Sequence, residues 1–129
     1  MEAQYRRALT TARWDRARRV GTETVDGIEI VDNEAQSRYE ARLEGELAGS
    51  LTYRRRTARI SLIHTEVDDR FRGRAIGTRL AVAALDAARA EGLAVLPICP
   101  LVADYIDHHP DYQELVAEGY RRPGSSSEG

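Results

Sequence analysis

The sequence of 129 residues contains no lysine, a single cysteine, and no apolar run close to the length of about eighteen residues that a membrane-spanning helix needs. A lone Cys99 excludes an internal disulfide, and with only His64, His108 and His109 beside it no zinc-ligand set is complete. The start of the chain lacks the pattern of a secretory signal. We therefore expect a soluble, cytoplasmic, metal-free domain that does not bind membranes.

The charge balance is equally informative. A net charge of −2 does not favour a nucleic-acid partner, and all 19 basic residues are arginines, whose planar guanidinium suits phosphate and carboxylate pairing. Residues 1–26 are Arg-rich and are interpreted as an appended helix or arm. Together with the arginines at 54–56 they support only a weak nucleic-acid interpretation, because few aromatic residues lie between the basic ones.

From Ile28 onward, apolar and polar residues alternate with the period of a β-strand, and turn-forming residues such as Gly45 separate the segments. This pattern predicts four consecutive strands in an antiparallel meander. The fourth is apolar on both faces until His64, as expected of a central strand that runs out of the core. The segments are IEIVDN, SRYEARLEG, ELAGSLTYRRR and ARISLIHTEV.

The second half of the chain predicts a helical crossover. Apolar residues recur with helical spacing over residues 78–92, and Gly92 is placed as the C-cap. LAVLPI (93–98) then predicts a fifth strand parallel to the fourth, followed by a helix after Pro100, another helical turn in QELVAEGY, and a disordered tail over residues 121–129. The expected fold is α/β, with a mixed, mostly antiparallel sheet and flanking helices in a domain spanning 27–120.

The junction DDRFRGRAIGTRL (68–80) lies between a predicted strand and a predicted helix. Glycine lets backbone N–H groups approach a ligand, and a helix start adds unpaired donors, so this junction predicts an anion site. A Walker A loop is excluded because there is no lysine. A dinucleotide fingerprint is excluded because the junction has glycines only at 73 and 77.

Residues 70–75, Arg-Phe-Arg-Gly-Arg-Ala, match the Arg/Gln-x-x-Gly-x-Gly/Ala signature and resemble the GNAT superfamily of acyl-CoA-dependent N-acyltransferases. The resemblance extends from about Val31 to about Val116, through HTEV, RGRAIGTRL and LPICPLVADYIDHHPDYQELV, and is similar to the small single-domain subgroup. It implies that the loop binds the CoA pyrophosphate, with Thr78 placed to cap the helix. The implied cofactor-binding residues are Val67, Arg70, Arg72, Gly73, Arg74, Ala75, Ile76, Gly77 and Thr78.

The resemblance also implies that the fourth and fifth predicted strands splay apart around the thioester, with His64, Glu66 and Cys99 at their ends. His64 is either a general base or a hydrogen-bonded strand residue. Glu66 either accepts the proton through a water or pairs with an arginine. Cys99 is either an inert buried thiol or a transient acetyl acceptor. Tyr105 is either the acid that protonates the CoA thiolate or a core tyrosine.

Compared with full-sized GNAT enzymes, the chain lacks a clear pair of helices between its first two strands, which leaves either an open groove suited to a peptide or protein end or a site with little transferase activity. The predicted function is an acetyl-CoA-dependent N-acetyltransferase that acts by direct transfer to an unidentified small or protein amine. The alternative is an acyl-CoA-binding module with little or no transferase activity. His108 and His109 are interpreted as a helix-end device, since no third metal ligand is identified.

Overall fold

The computed structural model describes residues 18–19 and 27–120, so most of the predicted arm and the whole predicted tail lie outside the described residues. Within these residues there are six strands and two α-helices. The strands are β1 (Arg18–Arg19), β2 (Ile28–Asn33), β3 (Arg38–Leu43), β4 (Glu46–Arg55), β5 (Arg59–Val67) and β6 (Ala94–Pro97); the helices are α1 (Ile76–Glu91) and α2 (Pro100–Asp107). Short 3₁₀ helices span Glu34–Gln36, Asp69–Phe71 and Pro110–Leu115.

The described strands form one sheet in chain order, β1 to β6. Neighbours from β1 to β5 are antiparallel, and β5 pairs with β6 in parallel, with α1 between them in sequence. Parallel neighbours need a long crossover, whereas the tight turn at Glu44 and Gly45, both with positive φ, suffices for the β3–β4 hairpin. The predicted meander and βαβ unit are therefore confirmed, the predicted fourth and fifth strands being β5 and β6.

The hydrophobic core lies between the sheet and the two helices. Leu51 and Leu62 on the sheet pack in one cluster with Leu80 and Leu85 of α1 and Val102 of α2, all fully buried. Burial of such side chains contributes about 2 kcal/mol each. Because side chains alternate along a strand, the residues between them face the opposite side of the sheet, where polar residues dominate.

Helix α1 has left-handed residues at both ends. Gly92 (φ 72°) is the predicted C-cap, and its N–H donates to the carbonyls of Ala88 and Arg89. At the other end the helix begins at Ile76, and Ala75 (φ 57°) is the N-cap without a side-chain bond. Thr78 is the third residue of the helix, so the expectation that it caps the helix is wrong.

The chain after β6 turns directly into α2, whose first residue is Pro100, as predicted. The helical turn predicted in QELVAEGY is displaced toward the N-terminus: the 3₁₀ helix spans Pro110–Leu115, and Val116 then forms a parallel bridge with Val95 at the outer edge of β6. The following residues remain attached to this edge, since the Tyr120 hydroxyl donates to the Pro97 carbonyl at 3.3 Å. None of the helices in the described part of the chain is long and apolar enough to cross a membrane.

Candidate functional site

Strands β5 and β6 separate halfway along β5. Their pairing runs only from Arg59 to Leu62, and the Cys99 N–H closes it with a bond of 2.8 Å to the Leu62 carbonyl. Strand β5 continues to Val67, but β6 ends at Pro97, which has no N–H to donate, and the chain then enters α2. A gap between the second half of β5 and the start of α2 results, as the family resemblance implies.

Three elements converge on this gap. The Thr65 hydroxyl of β5 lies 3.2 Å from the Cys99 sulfur, which is only 3% exposed. On the α1 side, a Cβ placed on Gly77 would come within 2.8 Å of the Leu101 Cδ1 and within 4 Å of Thr65 and Val67 methyls. Cys99 therefore lies at the splay, as predicted, in contact with a residue that the sequence interpretation missed, Thr65.

The turn that the sequence predicts to bind an anion, residues 72–78 and named the anion-binding turn for that prediction, lies at the mouth of the gap. Gly73 (φ 89°) and Ala75 (φ 57°) both adopt the left-handed conformation between the 3₁₀ helix and α1. The first intrahelical bond of α1 runs from the Arg79 N–H to the Ala75 carbonyl at 2.9 Å, so the first three helical N–H groups have no intrahelical acceptor. These donors and the positive end of the helix dipole form a site suited to phosphate.

The arginine side chains of the turn are held by neighbouring carboxylates. Arg70 pairs with Asp68 at 3.0 Å and with Glu46 at 3.1 Å, and Arg72 donates to Asp69 at 2.6 Å. Hydrogen bonds from the Arg70 side chain and backbone hold the pKa of Asp68 below its ordinary value. Arg70 and Arg72 are thus each paired with a carboxylate, and Arg74 is exposed beside the donors.

A bulge at Ile63 moves His64 and Glu66 to the polar face of the sheet. Thr52 pairs with His64 but Tyr53 pairs with Leu62, so β5 contains one extra residue. The two side chains are 61% and 75% exposed and are joined by a contact of 3.3 Å between His64 Nε2 and Glu66 Oε2. They lie beside the gap, but on the opposite side of β5 from Thr65 and Cys99.

Tyr105 lies on α2 beside other aromatic side chains. Its ring stacks on His109 at 3.8 Å and lies 5.8 Å from the Tyr112 ring, whose hydroxyl donates to Asp86 in the second half of α1. Tyr105 is half-buried, packs against the core cluster that includes Cys99, and lies one helical turn after Leu101, whose side chain is at the gap. Both interpretations of Tyr105 therefore remain predictions.

His108 and His109 follow the last residue of α2, and their rings contact carbonyls of its last turn. Each Nδ1 lies within hydrogen-bond distance of a carbonyl one turn earlier, at Asp104 and Tyr105 respectively. This geometry agrees with a helix-end device. Among the described residues there is no group of three metal-ligating side chains.

Gly49 is a second residue that the sequence interpretation missed. A Cβ at this position would lie 2.9 Å from the Glu66 carbonyl oxygen and 2.9 Å from Ile76 Cγ2. Only glycine lets the start of α1 approach the β4–β5 pair this closely. An isolated glycine inside a strand is the signal that marks such a position.

A mixed sheet whose two parallel strands part beside an anion-binding turn defines the GNAT-like class of folds. Residues 38–115 match the family model of the GCN5-related N-acetyl-transferases, and the chain therefore belongs to this family. The solution structure of a GCN5-like protein from Staphylococcus aureus has the same fold, with a TM-score of 0.55 at 22% identity over 72% of this chain and 91% of that one. No curated protein matches the chain significantly. The predicted family and fold class are confirmed.

Proposed function

We propose that the protein is an acetyl-CoA-dependent N-acetyltransferase that passes the acetyl group directly to an amine. The observation that carries the proposal is the position of the anion-binding turn at the mouth of the β5–β6 gap. The turn offers donors for a pyrophosphate, and the gap offers a path from there to Cys99. Membership of the N-acetyltransferase family supports acetyl-CoA as the donor.

In this proposal the backbone N–H groups of residues 73–78 bind the pyrophosphate, and Arg72 and Arg74 add charge-assisted contacts. The edge of β5 from Ile63 to Val67, which β6 does not cover, hydrogen-bonds the extended arm of the cofactor as an additional strand would. Leu101 at the start of α2, 36% exposed, supplies an apolar contact along the arm. The thioester then lies close to Thr65 and Cys99.

The chemistry is acyl transfer. The amine nitrogen attacks the thioester carbonyl carbon, a C–N bond forms, the C–S bond breaks, and the amine proton leaves. The His64–Glu66 pair lies beside the gap on the polar face and accepts that proton, directly or through a water. The Thr65 hydroxyl and the Cys99 thiol lie beside the leaving thiolate and stabilise it as hydrogen-bond donors, and the proton that it takes up comes from Tyr105 or from a water.

The test is a thermal-shift comparison of acetyl-CoA, CoA, ATP and NAD with the wild-type protein, Gly73→Glu and Gly92→Glu. Both glycines have positive φ and open space around the missing Cβ, so the two variants are strained alike, but only Gly73 lies in the turn. A ligand at a hundredfold its dissociation constant stabilises the protein by about 2.7 kcal/mol. We expect CoA ligands to stabilise the wild type and Gly92→Glu, and not Gly73→Glu.

Amine-dependent release of CoA then separates the enzyme from the alternative. Turnover with an amine panel supports the transferase. Binding of CoA ligands without turnover of any amine supports an acyl-CoA-binding module. Absence of a shift with acetyl-CoA and CoA contradicts both proposals.

A further inference from the structure

Exposed apolar side chains are concentrated at the gap between β5 and β6. Among the residues that the structure describes, the large apolar side chains that are exposed are Leu47, Ile98 and Leu101. The last two lie at the gap, on either side of Cys99 in the chain. Leu101 faces Gly77 on the α1 side, where the arm of CoA is proposed to lie, and Ile98 is separate from that contact.

Ile98 points to the face of the sheet opposite the helices. Val95 of β6 and Cys99 after it both pack in the core cluster with α1 and α2. Side chains alternate along an extended chain, so Leu96 and Ile98 face the other way. Leu96 is half-buried and Ile98 is 43% exposed. The end of β6 therefore presents apolar side chains on both of its faces.

The bulge in β5 adds a third apolar side chain to this face. Leu62 packs in the core cluster, and Thr65 contacts the buried Cys99, so both point toward the helices. Two residues lie between them, Ile63 and His64, and the extra residue of the bulge puts both on the opposite face. Ile63 is half-buried there.

These apolar side chains are neighbours. The pairing of β5 with β6 ends at Leu62 and Pro97, and the next residue of each segment is an isoleucine. Together with the leucine before Pro97 they form a surface that we call the apolar strip: Ile63, Leu96 and Ile98. His64 directly follows the first of these residues, so the apolar strip borders the His64–Glu66 pair.

The described helices leave the apolar strip uncovered, since both α1 and α2 pack on the other face. Parallel strands are normally covered on both faces and are apolar on both, and β5 and β6 form the parallel pair of this sheet. A ligand that lies on the strip removes apolar surface from water, which favours its binding.

The site beside the gap is thus divided into an ionisable part and an apolar part. The His64–Glu66 pair is exposed, and the Glu66 carboxylate attracts an ammonium group. The side chains of the apolar strip contain no hydrogen-bonding or charged group. A charged or hydroxylated substituent placed against them would lose hydration without gaining a partner, whereas a hydrocarbon substituent would not.

We propose that the acceptor is a free primary amine with a hydrocarbon tail, which lies with its amine at the His64–Glu66 pair and its tail on the apolar strip. The inference rests on the proposed function and names the acceptor class of that reaction. The acetyl group passes from the CoA sulfur to the amine nitrogen, and one amine proton passes to the His64–Glu66 pair. The CoA thiolate takes up a proton and leaves as the thiol.

A peptide N-terminus fits this surface less well. Its first peptide group is attached to the carbon that carries the amine, and a peptide group removed from water needs hydrogen-bond partners. The apolar strip has none to offer.

The experiment compares hexylamine, 6-aminohexan-1-ol, 6-aminohexanoate and Nα-acetyl-L-lysinamide, which share a primary amine on an unbranched carbon chain and differ at its far end. Binding to the full chain with ¹³C-methyl-labelled isoleucine is measured by NMR titration, with and without CoA. We expect hexylamine to shift the methyl signals of Ile63 and Ile98, and not that of Ile28, which is buried at the other side of the sheet. It should bind about tenfold more tightly than each of the other three, because its whole tail is apolar.

The matched variants are Ile98→Ser and Leu47→Ser. The two side chains are 43% and 42% exposed, and Leu47 lies on β4, two strands away from β6. Ile98→Ser should reduce the preference for hexylamine over 6-aminohexan-1-ol to about threefold, and Leu47→Ser should retain it. Equal effects of the two variants, or equal binding of the four amines, would overturn the inference. Binding of Nα-acetyl-L-lysinamide as tight as that of hexylamine would also overturn it, in favour of a protein lysine.

Because the titration does not depend on turnover, it separates the two proposals. Binding of hexylamine on the apolar strip without acetylation would contradict the transferase and leave the preference for a hydrocarbon tail standing. Acetylation of 6-aminohexanoate as efficient as that of hexylamine would support the transferase and contradict the hydrocarbon-tail acceptor.

Discussion

At the scale of single residues, two glycines determine how closely the helices approach the site. Gly49 in β4 faces a backbone carbonyl, that of Glu66, whereas Gly77 in α1 faces the end of a side chain, that of Leu101. The separations from an added Cβ are nearly equal, 2.9 and 2.8 Å. A strand carbonyl fixed in a sheet cannot retreat, but a leucine methyl at a partly exposed position can change rotamer.

The same substitution should therefore have opposite effects at the two positions. Gly49→Ala should lower the free energy of unfolding by about 1–3 kcal/mol through overpacking. Gly77→Ala should leave it unchanged or raise it by up to about 1 kcal/mol, because alanine is the better helix former. Urea denaturation of the two variants measures both values. Equal destabilisation would mean that Leu101 is as immobile as the strand.

At the scale of elements, α1 runs from the anion-binding turn to the turn before β6, and its two ends are built differently. Gly92 ends the helix in the conformation that glycine adopts at little cost. Ala75 begins it in the same left-handed region, where a side chain is strained by about 1–2 kcal/mol. The N-terminal strain falls within the turn that we assign to the cofactor, where such strain is characteristically found.

Exchanging the residue types at the two ends tests this asymmetry. Gly92→Ala should reduce stability by about 1 kcal/mol, because it introduces a Cβ at positive φ. Ala75→Gly should not reduce stability, because relief of strain offsets the greater entropy of glycine in the unfolded chain. Thermal unfolding of both variants provides the comparison. A clear loss of stability in Ala75→Gly would show that the left-handed alanine is not strained.

At the scale of the whole molecule, the sheet has one apolar and one polar face. On the polar face, a buried carboxylate accepts hydrogen bonds from side chains of its own strand and of the neighbouring strand. Glu40 of β3 is 1% exposed and accepts hydrogen bonds from Arg38 at 2.7 Å, from Asn33 at 3.0 Å, and from Arg42. Burial alone would raise the pKa of Glu40, but the hydrogen bonds from Arg42, Arg38 and Asn33 together outweigh it and hold the pKa below its ordinary value. The carboxylate thus joins β2 to β3.

Acid stability should depend on this group. The pKa of Glu40 is lower in the folded state than its ordinary value of 4.5. The contribution of Glu40 to the free energy of unfolding is therefore fully present above pH 4.5 and is lost as the pH falls through the folded-state pKa. Glu40→Gln should be less stable at pH 7 by about 1.5–3 kcal/mol, since charge-assisted bonds are lost. It should also lose less stability than the wild type between pH 5 and 3, as estimated from the linkage of stability to pKa.

The control is Glu44→Gln, which changes an exposed carboxylate at the end of the same strand. Urea denaturation at a series of pH values gives the unfolding free energy of each variant. Glu44→Gln should follow the wild-type profile. If the unfolding free energy of Glu40→Gln falls with pH as steeply as that of the wild type, the depressed pKa of Glu40 does not contribute to acid stability.

Much of the site followed from the local pattern. The glycines and arginines after a predicted strand indicated the anion-binding turn, and Pro100 after Cys99 indicated the start of α2 beside the splay. The position of Thr78 inside α1 did not follow, because the left-handed Ala75 decides where the helix begins. The bulge at Ile63 left no sequence signal, since its β-branched side chain suits any strand position.

The order of the strands and helices, the family, and the turn that we assign to the cofactor all follow from the amino-acid sequence alone. These features depend on periodicity, on glycine and on proline, which act within a few residues of the chain. Which groups meet is a property of the tertiary structure: Thr65 lies against Cys99 across the gap, and Gly77 of α1 lies against Leu101 of α2. The reason is that register, bulges and the parting of β5 from β6 are set by packing between segments far apart in the chain, which local patterns do not encode.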